Sequence, residues 1–327
     1  MRRYSTLDDL AADLGRSACM AIGTFDGVHL GHREVIHTML AAARGAGAPA
    51  VVLTFTPHPL AVLRPQAMPP LLTDYRSRAA LLAALGIDAL VEMPFTAELA
   101  AVPAATFVSE YLCRRAGVRW AFVGADFSFG AGAAGTAELL AAVGRQDCGL
   151  RTHIVPLRSQ DGSPISSTRI REALRTGHLG DAIRLLGHEF TLAAPVVPGE
   201  RRGRELGFPT ANLMPDPALA QPAPGVYAVR ARLARDDAPD ASWAGVANLG
   251  RRPTVGGEDM RLEVHLFDFV GELYGRVLEV AFVRRLRAEQ RFPDLETLRG
   301  QIARDARRAR QVLGRAGVSG DAGRSER

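Results

Sequence analysis

The chain has 327 residues, of which 47% are hydrophobic and 23% charged, a composition typical of a globular protein with room for two domains. The net charge is +5, but all 40 basic residues are arginine, which indicates a compositional bias, and we expect no nucleic-acid partner. No run of about 18 apolar residues exists and "YSTLDDLAADLG" is too polar for a signal peptide, so we expect no membrane association and a cytoplasmic location.

The first half of the chain alternates short apolar strands with helical patterns. Continuous apolar strands separated by helices that end in glycine predict a parallel sheet covered on both faces. This is a doubly wound, Rossmann-like α/β domain, with ligands expected at the carboxyl ends of its strands. The strands are predicted at 18–23, 49–55, 88–93, 120–124 and 151–157, and the helices at 32–47, 74–86, 106–117, 135–144, 166–177 and 179–187.

After Gly187 the pattern changes to strands without helices between them. Antiparallel strands connected by glycine, proline and aspartate clusters predict a small β-barrel, followed by one amphipathic helix that ends near Leu313. The expected domains are therefore 1–187 and 188–313, with a disordered tail over 314–327. The three cysteines are widely spaced, which argues against both a disulfide framework and a zinc site.

The run "GTFDGVHLGH" follows the first predicted strand and ends in two histidines, His29 and His32. Their spacing places both rings on one side of a helix that begins there. The free N–H groups and dipole of a helix N-terminus favour an anion, and two imidazole donors suit a phosphate in a transition state. The alternatives are a pair of surface or capping histidines and, less favoured because no further ligand stands at suitable spacing, a zinc site.

Three more segments are expected to edge the same crevice: "TFTPHP" (54–59), "VGADFSFG" (123–130) and "ISSTRIR" (165–171). In the last, Ser166, Ser167 and Thr168 could cap a helix or hold phosphate oxygens, and Arg169 or Arg171 could neutralise a triphosphate. The G-x-G-x-x-G match at 130–135 does not follow its strand directly, so a loop over the ligand is favoured over a dinucleotide site. A Walker loop is excluded because the chain has no lysine.

The segment "GERRGRELGFPTANL" (199–213) predicts a second phosphate site, although a turn leading into a strand is the simpler alternative. Gly203, Gly207 and Pro209 would let the backbone approach a ligand closely. Thr210 and Asn212 face the same side of an extended chain and offer neutral oxygens that suit Mg²⁺ bound with substrate phosphates.

Glu263 alternates with apolar residues in "RLEVHLFDF" and so points away from the core, where a solvated glutamate is the usual explanation.

Together these motifs resemble the bacterial bifunctional riboflavin kinase/FAD synthetase family, over residues 18 to 313. G-x-F-D-G-V-H-x-G-H, P-H-P, G-x-D-F-x-F-G and I-S-S-T-x-I-R resemble the FAD synthetase part. G-R-x-L-G-F-P-T-A-N, G-V-x-N-x-G-x-x-P-T and E-V-H-L-x-D-F-x-x-x-L-Y-G resemble the riboflavin kinase part. The resemblance implies phosphorylation of riboflavin to FMN and adenylylation of FMN to FAD, with ATP and Mg²⁺.

The resemblance also implies roles for single residues. In the first domain it assigns α-phosphate stabilisation to His29, His32 and Arg169, ATP binding to Gly23, Phe25, Asp26, Ser167 and Thr168, and flavin binding to Pro57, His58 and Asp126. In the second it assigns Mg-ATP binding to Gly203, Pro209, Thr210 and Asn212, the catalytic base to Glu263, and flavin binding to Arg287 and Phe292.

Three other functions are open. Another H-x-G-H nucleotidyltransferase would have no use for the P-T-A-N domain, and a non-catalytic flavin sensor should have lost Glu263 or a histidine. A nucleic-acid binder is disfavoured because the arginines of the last helix alternate with Glu296 and Asp305, which indicates a solvated face. The sequence leaves the oligomeric state open.

Overall fold

The computed structural model describes residues 1–199, 203, 206–234, 241–254 and 257–318, and only the backbone of 252–254, 257–259 and 315–318. The chain divides into two compact units, Met1–Ser167 and the part that begins at Thr168. This division precedes the two helices that we expected to close the first domain at residue 187.

A parallel six-stranded sheet forms the centre of the first unit, in the order β1-β4-β3-β2-β5-β8. β3 and β5 lie on opposite sides of β2, so the connections turn both ways there, and this is where such sheets bind ligands. The five predicted strands are confirmed and β1 is an additional edge strand. The strands are β1 (Arg2–Tyr4), β2 (Cys19–Ile22), β3 (Ala50–Thr56), β4 (Ala89–Pro94), β5 (Trp120–Gly124), β6 (Ser128–Phe129), β7 (Gly135–Thr136), β8 (Arg151–Val155), β9 (Ser159–Gln160) and β10 (Ser163–Pro164), of which β6 pairs with β7 and β9 with β10.

Helices cover both faces of this sheet, as the continuous apolar strands predict. They are α1 (Leu7–Leu14), α2 (Leu30–Ala46), α3 (Pro59–Leu63), α4 (Tyr75–Ala84), α5 (Ala97–Ala100), α6 (Ala104–Thr106), a π-helical segment (Phe107–Arg115) and α7 (Ala137–Cys148). α2 and α4 pack on one face through Ile36, Met39 and Leu82. The other face is covered by α1, the π-helical segment and α7, and the doubly wound prediction is therefore confirmed.

Cys113 and Cys148 form a disulfide with their Cα atoms 5.8 Å apart, so the expectation from cysteine spacing is wrong. The two cysteines are 35 residues apart in the chain, but the π-helical segment packs against α7 and brings them together. Cys19 is a free thiol buried in β2.

The second unit is built on a closed antiparallel barrel, in the order β11-β12-β15-β14-β13-β16. The predicted barrel is confirmed, and the short strand β12 is the element that the strand patterns missed. Its elements are α8 (Ser167–Arg175), which begins one residue before the division, α9 (Leu179–Leu186), β11 (Phe190–Val197), β12 (Ala211–Leu213), β13 (Gly225–Leu233), β14 (Ser242–Thr254), β15 (Gly257–Leu266), β16 (Val277–Arg287) and α10 (Leu295–Val318).

The C-terminal helix α10 packs its apolar stripe on the outside of the barrel, where Ala309 and Leu313 meet Val226 and Ala228. It continues to Val318 and so includes the first five residues of the segment expected to be disordered. Residues 319–327 lie outside the described part of the chain.

Candidate active sites

The loop between β2 and α2 has an uncommon backbone conformation. Phe25 and Val28 have φ values of +50° and +41°, and Gly27 between them has +82°. Left-handed backbone is costly for a bulky side chain and persists only where the surroundings impose it, which is common at functional sites. Both side chains are buried, at 2% and 0% exposure, so packing holds the loop in this form.

Asp26 holds the loop in place from within. Its carboxylate is buried and accepts hydrogen bonds from the backbone N–H groups of Leu72 and Thr73, at 2.9 and 3.2 Å. Its own carbonyl accepts a hydrogen bond from the Ser167 hydroxyl at 3.0 Å. Asp26 therefore fixes the position of the loop, and Ser167 of the predicted phosphate-binding set joins it there.

His29 and His32 lie together at the start of α2. Their rings stack with centroids 3.5 Å apart and planes 17° from parallel, which confirms that the H-x-x-H spacing places both on one side. His29 is the N-cap residue, and its Nδ1 accepts a hydrogen bond from the backbone N–H of His32 at 3.2 Å. The prediction that these histidines could cap a helix is therefore also confirmed for His29, through its Nδ1. Because Nδ1 accepts, the proton of a neutral His29 is on Nε2, which leaves that nitrogen as a donor.

The environment of His32 is less polar than that of His29. Its Nδ1 is buried and has no hydrogen-bond partner among the described residues, and the ring of Phe25 approaches edge-on at 5.4 Å. Burial, followed by the neighbouring charges of His29 and Arg78, lowers the pKa of His32 well below its ordinary value. His32 is therefore a neutral imidazole near pH 7.

The T-P-H-P segment follows β3, next to the histidine loop. The Thr56–Pro57 peptide bond is cis, and His58 caps α3 by accepting a hydrogen bond from the backbone N–H of Leu60 at 3.2 Å. The backbone N–H of His58 donates to the Tyr75 hydroxyl at 3.1 Å. Pro57 and His58 thus lie at the carboxyl edge of the sheet, as predicted.

An aromatic cluster stands beside Asp126, after β5. Phe107, Tyr111, Phe127 and Phe129 form successive ring pairs with centroids 5.3–5.7 Å apart, while Asp126 is exposed. The glycine-rich run at 130–135 packs against α6, since a Cβ on Gly130 would lie 2.6 Å from the Cα of Ala104. Close packing, not a dinucleotide phosphate, accounts for that glycine.

The remaining predicted residues of this site lie at two places. Gly23 ends the β2 side of the loop, where its N–H donates to the Leu53 carbonyl at 3.1 Å. Thr168 and Arg169 are the second and third residues of α8 and belong to the second unit. The proposed roles of Thr168 and Arg169 stay predictions.

In the barrel, strand register places three polar residues in one row. Glu263 in β15 lies directly opposite Asn212 of β12 on one side and Asn248 of β14 on the other. Directly opposite residues share a face of the sheet, with Cβ atoms about 4.5–5.5 Å apart. Leu262 and Val264 are fully buried, so Glu263 points away from that core, as the alternation predicts.

Asn212 is the buried member of this row, at 8% exposure. A Cβ at Gly199 would overlap its side chain, so the glycine leaves room for the amide. Thr210 is half-buried, and the carbonyl of Gly203 accepts a hydrogen bond from the Phe208 N–H at 2.7 Å. Residues 200–202, 204 and 205 of this segment lie outside the described residues.

His265 supports the same segment from β15. Its Nδ1 lies 2.8 Å from the carbonyl oxygen of Pro209, and its ring meets Phe208 edge-on at 5.5 Å. The P-T-A-N run is thereby held against the strand that carries Glu263.

The predicted flavin contact Arg287 has a structural partner. Its guanidinium donates to Asp305 of α10 from Nε at 2.9 Å and pairs through Nη2 at 2.8 Å. Asp305 is 6% exposed and also accepts from Gln301 at 2.9 Å, so the expectation that it belongs to a solvated face is wrong. Phe292 lies under the same guanidinium, 5.7 Å from its carbon.

Comparison with known proteins assigns both units. The family model described as FAD synthetase matches residues 12–169, and the one described as riboflavin kinase matches 186–313. The bifunctional riboflavin kinase/FMN adenylyltransferase of Escherichia coli K12 is 40% identical over 295 residues, which cover 90% of this chain and 92% of the relative. The chain belongs to the bifunctional riboflavin kinase/FMN adenylyltransferase family.

Other members are similarly related. The Pseudomonas fluorescens protein of the same description is 38% identical over 91% of this chain and 93% of its own, and the Bacillus subtilis protein is 35% identical over 89% and 90%. As a member of this family the chain phosphorylates riboflavin and adenylylates FMN. A different H-x-G-H nucleotidyltransferase does not account for the second matched domain.

A solved structure titled as a macrolide-efflux protein from Streptococcus pneumoniae has the same fold, with a TM-score of 0.80 and 30% identity over 93% of this chain and 96% of that one. Over the described residues of this family member, no helix has both the length and the apolar character needed to cross a membrane.

The sequence patterns did not predict that Asn248, Phe107 and Arg78 lie at or near the two candidate sites. Asn248 stands within the quoted G-V-x-N-x-G motif, but its place beside Glu263 follows only from the β14–β15 register. The contact between Phe107 and Phe129 had no local signal, because Phe129 comes from after β5. Arg78 read as one more arginine of an ordinary helix, yet it is 2% exposed and within electrostatic reach of His32.

Proposed function

We propose that the loop with His29 and His32 performs FMN adenylylation and that the row of Asn212, Glu263 and Asn248 performs riboflavin phosphorylation. The observation that carries the first assignment is the stacked pair of imidazoles at the N-terminus of α2, directly after a loop in which Phe25, Gly27 and Val28 have left-handed backbone. A helix N-terminus with added side-chain donors binds phosphate oxygens.

In adenylyl transfer, a phosphate oxygen of FMN attacks the α-phosphorus of ATP and pyrophosphate leaves. Negative charge grows on the transferred phosphoryl group, and donors aimed at it stabilise the transition state. We assign this role to Nε2 of His29, because Nδ1 accepts the capping hydrogen bond and the neutral ring therefore carries its proton on Nε2. His32 is neutral before substrates bind. The negative charge of a bound triphosphate would raise the pKa of His32 and so favour its protonated form.

Thr168 and Arg169 complete this proposal from α8. Their hydroxyl and guanidinium groups have the chemistry to bind ATP phosphates. Asp26 and Ser167 act by fixing the loop, since their groups bond to the backbone around it. Gly23 and Phe25 would line the adenylate pocket.

The aromatic cluster beside Asp126 supports a place for the flavin. Flat rings stack on or meet aromatic side chains favourably, and Phe107, Phe127 and Phe129 stand together at this edge of the sheet. Pro57, His58 and Asp126 would then contact the flavin or its phosphate.

In the kinase site, Glu263 would accept the proton of the ribityl hydroxyl while that oxygen attacks the γ-phosphorus of ATP. Asn212 and Asn248 flank the carboxylate on the same face of three strands. Gly203 and Pro209 belong to the loop that precedes Thr210 and would approach the nucleotide. Arg287 and Phe292 are proposed near riboflavin, although Arg287 already pairs with Asp305.

Magnesium fits the donor set of the P-T-A-N run. The Thr210 hydroxyl and the Asn212 amide oxygen are neutral oxygen donors, and Gly199 leaves space around the amide. These two residues would hold the ion together with ATP phosphates, where it would screen phosphate charge. In the described residues no group of three or more His, Cys, Asp and Glu side chains is placed to hold a metal, so a site dominated by phosphate and neutral oxygens is the arrangement we propose.

The test is product identification after incubation with riboflavin and ATP, with and without Mg²⁺, beside a second reaction that starts from FMN. We expect FMN and then FAD from riboflavin, FAD alone from FMN, and neither without a divalent cation. FMN as the only product would contradict the assignment of the histidine site, and metal-independent FMN formation would contradict the proposed roles of Thr210 and Asn212. A cytoplasmic location and the absence of a nucleic-acid partner stay predictions.

A further inference from the structure

Arg78 is a fully buried arginine on α4, at 2% exposure. Burying a guanidinium is costly unless its donors find acceptors, so such a residue calls for a specific account. Its Nη1 donates to the Thr24 carbonyl at 3.0 Å, and Nη2 lies 3.4 Å from both the Phe55 carbonyl and the Thr56 hydroxyl. Its Nε is buried and has no partner within the described residues.

These acceptors belong to the two motifs of the adenylylation site. Thr24 is the second residue of G-T-F-D-G, after β2, while Phe55 and Thr56 end β3 directly before the P-H-P run. β2 and β3 are adjacent parallel strands, so the guanidinium bridges their carboxyl ends. The Thr54 hydroxyl donates to the same Thr24 carbonyl at 3.1 Å, which adds a second tie between the strands.

Tyr75 extends this arrangement by one turn of α4. Its ring lies under the Arg78 guanidinium, 4.9 Å from centroid to carbon, and its hydroxyl accepts the backbone N–H of His58 at 3.1 Å. One helix turn thus holds both the loop that carries the histidines and the segment expected to contact FMN.

We propose that Arg78 is a positioning residue for adenylyl transfer, which sets the spacing between the G-T-F-D-G loop and the T-P-H-P segment so that the two substrates are aligned. The inference rests on the proposed adenylylation site. The Arg78 guanidinium bonds to the ends of β2 and β3, and we infer that its contribution is geometric. Misplacement of reactants by about 1 Å can cost about 10²-fold in rate.

The buried position of Arg78 also has an electrostatic consequence for His32. Arg78 is surrounded by the acidic groups of Asp26, Asp74 and Glu92 and by Tyr75, whereas His32 faces His29, Arg78 and the ring of Phe25. The charge of Arg78 is one cause of the lowered pKa of His32, after burial and His29. Its removal should therefore raise the pKa of His32 toward the ordinary value.

The test compares Arg78→Met and Arg78→Lys with wild type in the full chain. Arg78→Met should lower kcat for FAD formation from FMN about 10²-fold with little change in the KM for ATP. Arg78→Lys keeps the charge without the two-pronged donor geometry and should recover part of the rate. The alkaline limb of the pH–rate profile, where His32 loses its proton, should move to higher pH in Arg78→Met and stay in place in Arg78→Lys.

Leu82→Ala is the matched control, because Leu82 is fully buried on the same helix and packs in the core. It should lower Tm without lowering kcat, and riboflavin phosphorylation should persist in every variant. Wild-type kcat in both folded Arg78 variants, or an equal loss in Leu82→Ala, would overturn the inference. If Arg78→Met does not fold, Arg78→Lys carries the test.

A His32→Ala protein separates the inference from the assignment beneath it. Normal FAD synthesis in His32→Ala would refute the adenylylation site itself. Loss of FAD synthesis in His32→Ala together with normal kcat in the Arg78 variants would refute only the role of Arg78.

Discussion

The two candidate sites are assembled in different ways. In the first domain the loop from Gly23 to His32 is continuous in sequence, and His29 and His32 meet because they are three residues apart at the start of α2. In the barrel, Asn212, Glu263 and Asn248 come from three strands and meet only through register. The histidine loop is local, whereas the polar row of the barrel exists only when β12 and β14 both pair with β15.

This difference has consequences for how each site responds to change. A local site at a helix N-terminus depends on the caps and buried groups that shape one loop. A site built from register depends on the strands and on what anchors them, such as the pair of Arg287 with Asp305. The first should be sensitive to substitutions near it in sequence, and the second to distant ones as well.

The largest effect is expected at Glu263, in the kinase site. Glu263→Gln keeps the size of the side chain but removes the proton acceptor, which should slow riboflavin phosphorylation about 10²–10⁴-fold. FAD formation from supplied FMN should continue, because it uses the other site. The two rates are measured separately on protein whose Tm matches wild type; near-normal kinase activity would mean that Glu263 is a solvated strand residue.

Loss of the anchor at Arg287 should cost stability. Arg287→Met leaves the Asp305 carboxylate buried and unpaired, which typically costs about 3–5 kcal/mol. Urea unfolding measures this, with the exposed Arg284→Met on the same strand as control.

The double variant Arg287→Met/Asp305→Leu should regain most of that stability, since neither charge is then left unpaired. A raised KM for riboflavin that persists in the stable double variant would support the predicted flavin contact. A normal KM there would assign Arg287 to structure alone.

At the local site, His29→Ala or His32→Ala should reduce FAD formation about 10²–10³-fold, because each removes a donor to the transferring phosphate. FMN formation should be unaffected. His37→Ala is the matched control, since His37 is exposed on the same helix. Full FAD synthesis in both single variants would leave His29 with its capping role only and would refute the proposed role of His32.

The smallest expected effect concerns pH. The pKa of His32 is lowered in the folded protein, so the unfolded chain binds more protons below pH 6.5, and folding stability falls as the pH decreases through that range. The loss is at most about 1.4 kcal/mol per pH unit.

Urea midpoints at about pH 7.5 and about pH 5.5 measure this effect, and His32→Gln should be less sensitive to the change than wild type or His37→Gln. An equal pH response in all three proteins would show that His32 is not held neutral by the fold.

The sequence predicted most of the architecture because the periodicity that defines each element is local. Five of six parallel strands and the barrel strands β11 and β13 to β16 follow from apolar patterns. The short strands β1 and β12 were missed because three residues hold too little pattern, and pairing with β4, or with β11 and β15, makes them strands. The expectation that the cysteines form no disulfide was wrong because it used spacing along the chain. Packing of α7 on the π-helical segment brings Cys113 and Cys148 together.

By itself, then, the sequence determined the two domain types, the H-x-G-H loop, the P-T-A-N run and the outward direction of Glu263. Each of these depends on spacing within a few residues, which helix and strand geometry translate directly into direction. Only the tertiary structure decided what surrounds them: Asn248 beside Glu263, Asp305 buried under Arg287, and Arg78 between the ends of β2 and β3. Those relations join residues that are distant in the chain, and burial and strand register, not local spacing, bring them together.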